Sequence, residues 1–132
     1  MTTTTPWPRH YGDRLLRLAK FLEKLPRRKF DFAEYVNTAV YRGKECGTVC
    51  CAIGWTPAVF PRMITWDRIR RETVEDVADR LFGLTVWEAS DLFIPVTASR
   101  VWCPKGLDTN ATPKQVARSI RAFVAWKRGQ AR

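Results

Sequence analysis

The sequence predicts an all-α fold: a compact single-domain bundle of five to six short helices over residues 13–132, preceded by an extended N-terminal arm over residues 1–12. Three observations carry this. Apolar residues recur at i, i+3, i+4 and i+7 in several windows, the spacing of one buried helix face. Helix-start signatures, a threonine followed three residues later by an acid or glutamine, stand at Thr73, Thr85 and Thr112. Pro26, Gly43, Pro57, Gly83 and Pro95 fall where those windows end.

The arm, up to His10, holds Pro6 and Pro8 and has no helical period. From Asp13, Leu15, Leu18, Ala19, Leu22 and Leu25 define a first amphipathic helix stopped by Pro26. Asp31 with Glu34 opens a second, whose face is Phe32, Val36, Ala39 and Val40. Thr48 caps a short buried third helix running to Trp55 and ended by Pro57. Val74, Val77, Ala78, Leu81 and Phe82 form the face of a fourth, closed by Gly83 in the position of a left-handed cap. Thr85 and Glu88 form a capping box for a fifth helix reaching about Phe93. Thr112, Pro113 and Gln115 start a sixth that buries Val116, Ile120, Phe123 and Val124. Residues 95–111 read as a long connection, pinned by Val101, Trp102 and Cys103 packing inward, with room for a short strand.

At 132 residues, 45% of them apolar, the chain is one domain with enough apolar material for its own core. No run approaches the roughly 18 apolar residues of a membrane span, and no secretory segment opens the chain, so a cytoplasmic protein is expected. Thiols there stay reduced, so the even count of four cysteines is not evidence of bridges. The net charge of +10 favours an acidic macromolecule as partner, either a nucleic acid or an acidic protein surface. That charge is uneven. Residues 1–44 hold ten Lys/Arg against four Asp/Glu, residues 45–104 six against eight, and residues 105–132 seven against one. The two ends are basic and the middle is slightly acidic.

Three of the cysteines lie within Glu45–Trp55, the segment where chemistry would concentrate. Cys46, ahead of the third helix, is the best placed for a lowered thiol pKa, but a nucleophile also needs a base. His10 is the only histidine, and the spacing and residue order depart from the papain-type pattern. Cys46, Cys50 and Cys103, with His10, make an alternative metal set that lacks the usual paired spacing. Against both stands packing: free cysteines are among the most buried residues, and Val49, Ala52 and Ile53 surround these. No catalytic residue, metal or cofactor is expected on this reading.

C-G-T-x-x-C-A-x-G-W at residues 46–55, F-G-L-T-x-x-E-A-x-x-L-F at residues 82–93, Phe30-Asp31-Phe32 and a final basic amphipathic helix together resemble a group of short bacterial and tailed-phage proteins. The resemblance spans most of residues 13–126 and implies one coherent domain. It carries no activity across, but it implies an accessory setting, interference with host defence included.

Arg17, Lys20 and Lys24 fall on one face of the first helix, and Lys114, Arg118, Arg121 and Arg128 on one face of the last. With Arg27, Arg28 and Lys29 they would make one phosphate-facing surface if the terminal helices pack side by side, or else remain separate solvated faces. A helix-turn-helix over residues 73–93 is disfavoured by a turn one residue too long and by Glu88 and Asp91 on the would-be recognition helix, leaving an αα-hairpin. Of six tryptophans, Trp55 and Trp87 are expected in or near the core, while Trp7, Trp66, Trp102 and Trp126 either stack on bases or anchor a protein interface, or else lie half-buried with the N–H reaching water. The expected function is therefore non-enzymatic binding of an acidic partner (a nucleic acid, a nucleoprotein or an acidic protein surface), with a cysteine-centred metal-binding or thiol-reactive protein and a tryptophan-anchored interaction module as alternatives.

Overall fold

The structure is a computed structural model and describes residues 7–30, 51–69, 71–93, 107 and 111–130. The expected second helix, Cys46, Cys50, Trp102 and Cys103 lie outside them. The described residues form six α-helices: α1 (Arg9–Lys24), α2 (Thr56–Val59), α3 (Trp66–Ile69), α4 (Val74–Phe82), α5 (Val86–Phe93) and α6 (Pro113–Gln130). Short 3-10 turns at Arg27–Lys29 and Ile53–Trp55 complete the set.

Helix α1 begins four residues ahead of Asp13, so the end of the expected arm is its first turn. Pro8 sits just outside with φ −54°, a torsion that leads directly into a helix, and its carbonyl accepts the Tyr11 N–H. Pro57 departs from expectation in the opposite sense. It lies in the first turn of α2, where its missing N–H leaves no bond unmade, so the 3-10 turn at Ile53–Trp55 runs on into helix instead of stopping. The buried Thr56 hydroxyl donates to the Ile53 carbonyl (2.7 Å) and binds the two turns together. The single turn of α3 was not foreseen; its signal is Thr65, whose hydroxyl accepts the Arg68 N–H at 3.1 Å.

The three later helices start at the expected caps. The Thr73 hydroxyl accepts from Asp76 N–H at 3.1 Å. Thr85 and Glu88 exchange reciprocal bonds of 3.0 and 3.2 Å, and Thr112 and Gln115 do so at 2.8 and 3.1 Å. Gly83 closes α4 in the left-handed region (φ 60°, ψ 36°).

The core lies where α1 and α6 pack along each other, the most extensive helix contact among the described elements, with α4 and α5 closing one side. Leu15, Leu18 and Leu22 of α1, Ile120 and Phe123 of α6, and Phe82 and Phe93 of the α4–α5 hairpin are all fully buried. Each such aliphatic or aromatic side chain is worth about 1.5–3 kcal/mol relative to exposure. The end of α4 is tied to the start of the chain by hydrogen bonds. Helices leave their last carbonyls unpaired; here Trp7 Nε1 donates to the Phe82 carbonyl (3.0 Å) and Arg14 Nη1 to that of Leu81 (3.0 Å). Trp7 also meets Phe123 edge-on, with Lys127 Nζ 5.4 Å from its ring centre. Trp7 is therefore a docked wedge between α4 and α6.

Candidate functional site

The basic surface is built by the two terminal helices. On α1 the buried face is Gly12, Leu15, Leu18, Ala19 and Leu22, which leaves Arg17, Lys20 and Lys24 exposed on the opposite side. Pro26 then turns the chain through Arg27, Arg28 and Lys29, where the Lys29 and Phe30 N–H groups bond back to Pro26 and Arg27 (both 3.0 Å). Two ion pairs fix the direction of α6. Arg121 binds both carboxylate oxygens of Glu23 (2.9 Å each), and Arg128 binds Asp13 (2.9 Å), so the helices are antiparallel. This brings the N-terminal half of α6, with Lys114 and Arg118, to the same end of the molecule as Lys24 and the Arg27–Lys29 turn.

Helix packing thus meets the condition for a shared basic surface, but it also consumes part of that surface. Arg121 and Arg128 are committed to the α1–α6 seam. The Arg121 hydrogen bonds hold the Glu23 carboxyl below its ordinary pKa and raise that of the guanidinium. Arg17 donates to the Val59 carbonyl (3.3 Å) and lies 5.1 Å from the centre of the Phe60 ring, which ties α1 to α2. Lys20, Lys24, Arg27, Arg28 and Arg118 are exposed and have no acidic partner among the described residues. Lys29 is half-buried, and its carbonyl accepts the Trp55 indole N–H at 2.9 Å. The site that remains is a cationic end face, with Glu23 already neutralised by Arg121.

Of the cysteine segment, Cys51 is buried in the core beside Ala52 and Ile53. The alternative metal set of Cys46, Cys50 and Cys103 lies outside the described residues. His10, its fourth member, is exposed on the first turn of α1 and leans on Tyr11 with ring centres 4.1 Å apart.

The tryptophans need one correction. Trp55 is in the core as expected, but Trp87 is 80% exposed, and Val86 beside it is 60% exposed. Both occupy the first turn of α5, while the face of that helix turned to the core is Ala89, Leu92 and Phe93. Trp7, Trp66 and Trp126 pack half-buried against the core, the packing reading that stood beside base stacking and interface anchoring for them. The sequence reasoning also missed a set of shallow apolar hollows around α2, which draw on Phe21, Ala58, Pro61 and Met63.

No protein-family model matches this chain, and no curated protein or solved structure matches it significantly. Among the described residues, no helix is long and apolar enough to cross a membrane.

Proposed function

We propose that this protein acts by binding, and that its basic end face receives an acidic macromolecule. The observation that carries the reading is the division of labour among the cations. Arg121, Arg128 and Arg17 are spent on holding helices together, whereas Lys20, Lys24, Arg27, Arg28 and Arg118 stay exposed and form no ion pair among the described residues. Leaving like charges together without counter-charge costs stability, and a polyanionic partner offsets that cost on binding. The accessory setting, interference with host defence included, rests on the motif resemblance.

A salt titration tests the proposal. Labelled single-stranded DNA, duplex DNA and an acidic peptide are each titrated with protein between about 50 and about 300 mM salt. Binding that weakens log-linearly with salt is expected, and Arg28→Gln and Arg118→Gln should each lower the slope by about one where the residue contacts a phosphate. Absence of binding to all three probes at the lowest salt refutes the reading.

The exposed pair Val86 and Trp87 favours a second reading, a tryptophan-anchored protein interface on α5. Its sign is partner capture that persists at high salt and is lost in Trp87→Ser.

A further inference from the structure

We infer that the acidic partner is a protein segment carrying apolar side chains, and that it docks in a groove running past α2. This rests on the reading of an acidic partner proposed above and assigns that partner its chemical class.

Three hollows adjoin on this face through shared lining residues. The first, of about 350 Å³, is walled by Phe21, Leu25 and Trp55 and edged by Lys24 and Lys29. The second, of about 390 Å³, is walled by Val59, Phe60 and Met63 and edged by Arg17 and Arg62. The third, of about 480 Å³, shares Ala58 with the first and Pro61 with the second and so joins them. The result is a continuous apolar floor with Lys24 and Lys29 at one end, Arg62 beside the helix-tying Arg17 at the other, and no acidic residue among the described residues of its lining.

The floor is rigid. Trp55 is held by its bond to the Lys29 carbonyl, by Phe21 at 5.8 Å between ring centres and by Trp66 edge-on at 5.7 Å. Phe60 is backed by Phe82 at 6.0 Å. A preformed apolar groove of this kind takes the leucine or phenylalanine anchors of an amphipathic segment, and its cationic ends take flanking carboxylates.

A nucleic acid fits the groove less well than the end face. Sequence-tolerant strand binding uses open aromatic faces on which bases stack. Trp55 and Phe60 are only 5% and 3% exposed, and the Trp55 N–H is already used within the fold. What the groove offers instead is the exposed and half-buried hydrocarbon of Phe21, Leu25, Ala58, Val59, Pro61 and Met63, which suits apolar side chains and not the polar edges of bases.

The test uses the full chain and three labelled probes: an acidic peptide with leucine and phenylalanine at helical spacing, a twin of equal charge with those residues replaced by serine, and an oligo-dT strand. The amphipathic peptide should bind at least about tenfold more tightly than its twin. Ala58 is exposed at the junction of two hollows, so Ala58→Arg fills the groove while adding positive charge. It should abolish the advantage of the amphipathic peptide and leave oligo-dT binding unchanged or stronger. Met63→Ser, at a 42% exposed position in the second hollow, should reduce the advantage without adding charge.

Equal binding of peptide and twin, or peptide binding untouched by Ala58→Arg, overturns the inference and leaves the basic end face standing. Preference for oligo-dT overturns it in favour of nucleic acid. Self-association that disappears in Ala58→Arg overturns it in favour of a second copy of this chain. Failure of every acidic probe at low salt removes the proposed function together with the inference.

Discussion

Replacing Gly83 by alanine tests how the start of the chain is locked to the α4–α5 turn. Gly83 has φ 60°, a left-handed torsion that costs a residue with a Cβ about 1–2 kcal/mol. A Cβ here would also lie 2.5 Å from both Cδ2 and Cε2 of Tyr11 and 3.0 Å from its Cγ. Carbon atoms settle about 3.5–4.0 Å apart, so the ring must move by about 1 Å. The His10 ring and the Arg14 guanidinium both rest on it, which makes an off-rotamer shift worth a further ~0.5–1.5 kcal/mol. The expected loss is about 2–3 kcal/mol, read as a lower urea midpoint at unchanged slope. In a Tyr11→Ala background the steric part vanishes and only the torsional ~1–2 kcal/mol remains, a coupling of about 1 kcal/mol in the double-mutant cycle. Gly83→Asn separates the two causes from the other side, because asparagine tolerates the torsion but keeps the contact with the ring. A Gly83→Ala loss below about 0.5 kcal/mol, or an equal loss in both backgrounds, refutes this account.

Three further outcomes are expected. Thr112→Ala removes one half of the capping box on α6 and should cost about 1 kcal/mol in urea unfolding, with Thr112→Ser recovering most of it. Glu23, whose carboxyl is lowered by its Arg121 hydrogen bonds, contributes stability that is present above its unfolded-state pKa and lost as pH falls through the lower folded-state value. Both groups are exposed, so that contribution is small and screened by salt; the clear readout is the Glu23 carboxyl titration by NMR, with a midpoint below that of a free glutamate that moves up in Arg121→Gln. Trp87→Ser should leave stability within about 0.5 kcal/mol of the parent, because the ring is 80% exposed; a larger loss would mean that the ring packs in solution.

Elements whose cause is local were legible in the chain. The caps at Thr73, Thr85 and Thr112 and the left-handed stop at Gly83 depend on residues within about one turn of each other, and all four occur where the sequence puts them. The buried faces of α1, α4 and α6 follow from helical period alone. The start of α1 was harder to read, because Trp7 is anchored by the Phe82 carbonyl, 75 positions away, and local composition holds no sign of that bond.

The candidate site divides along the same line. Period placed Arg118 and Arg121 on one stripe of α6, one turn apart and chemically alike. Only Arg121 meets Glu23, so one guanidinium became part of the helix seam and the other stayed exposed. Trp55 and Trp87 sit in equally distinctive motifs, yet one is closed off by Phe21 and Trp66 and the other stands in water. The sequence by itself determined α4, α5 and α6 with their caps, the apolar faces of α1, α4 and α6, and an excess of positive charge at both ends of the chain. Which cations remain open to a partner, and whether Ala58 and Pro61 join three hollows into one groove, was decided only when the helices packed, because ion pairing and concavity depend on distances between residues far apart in the chain.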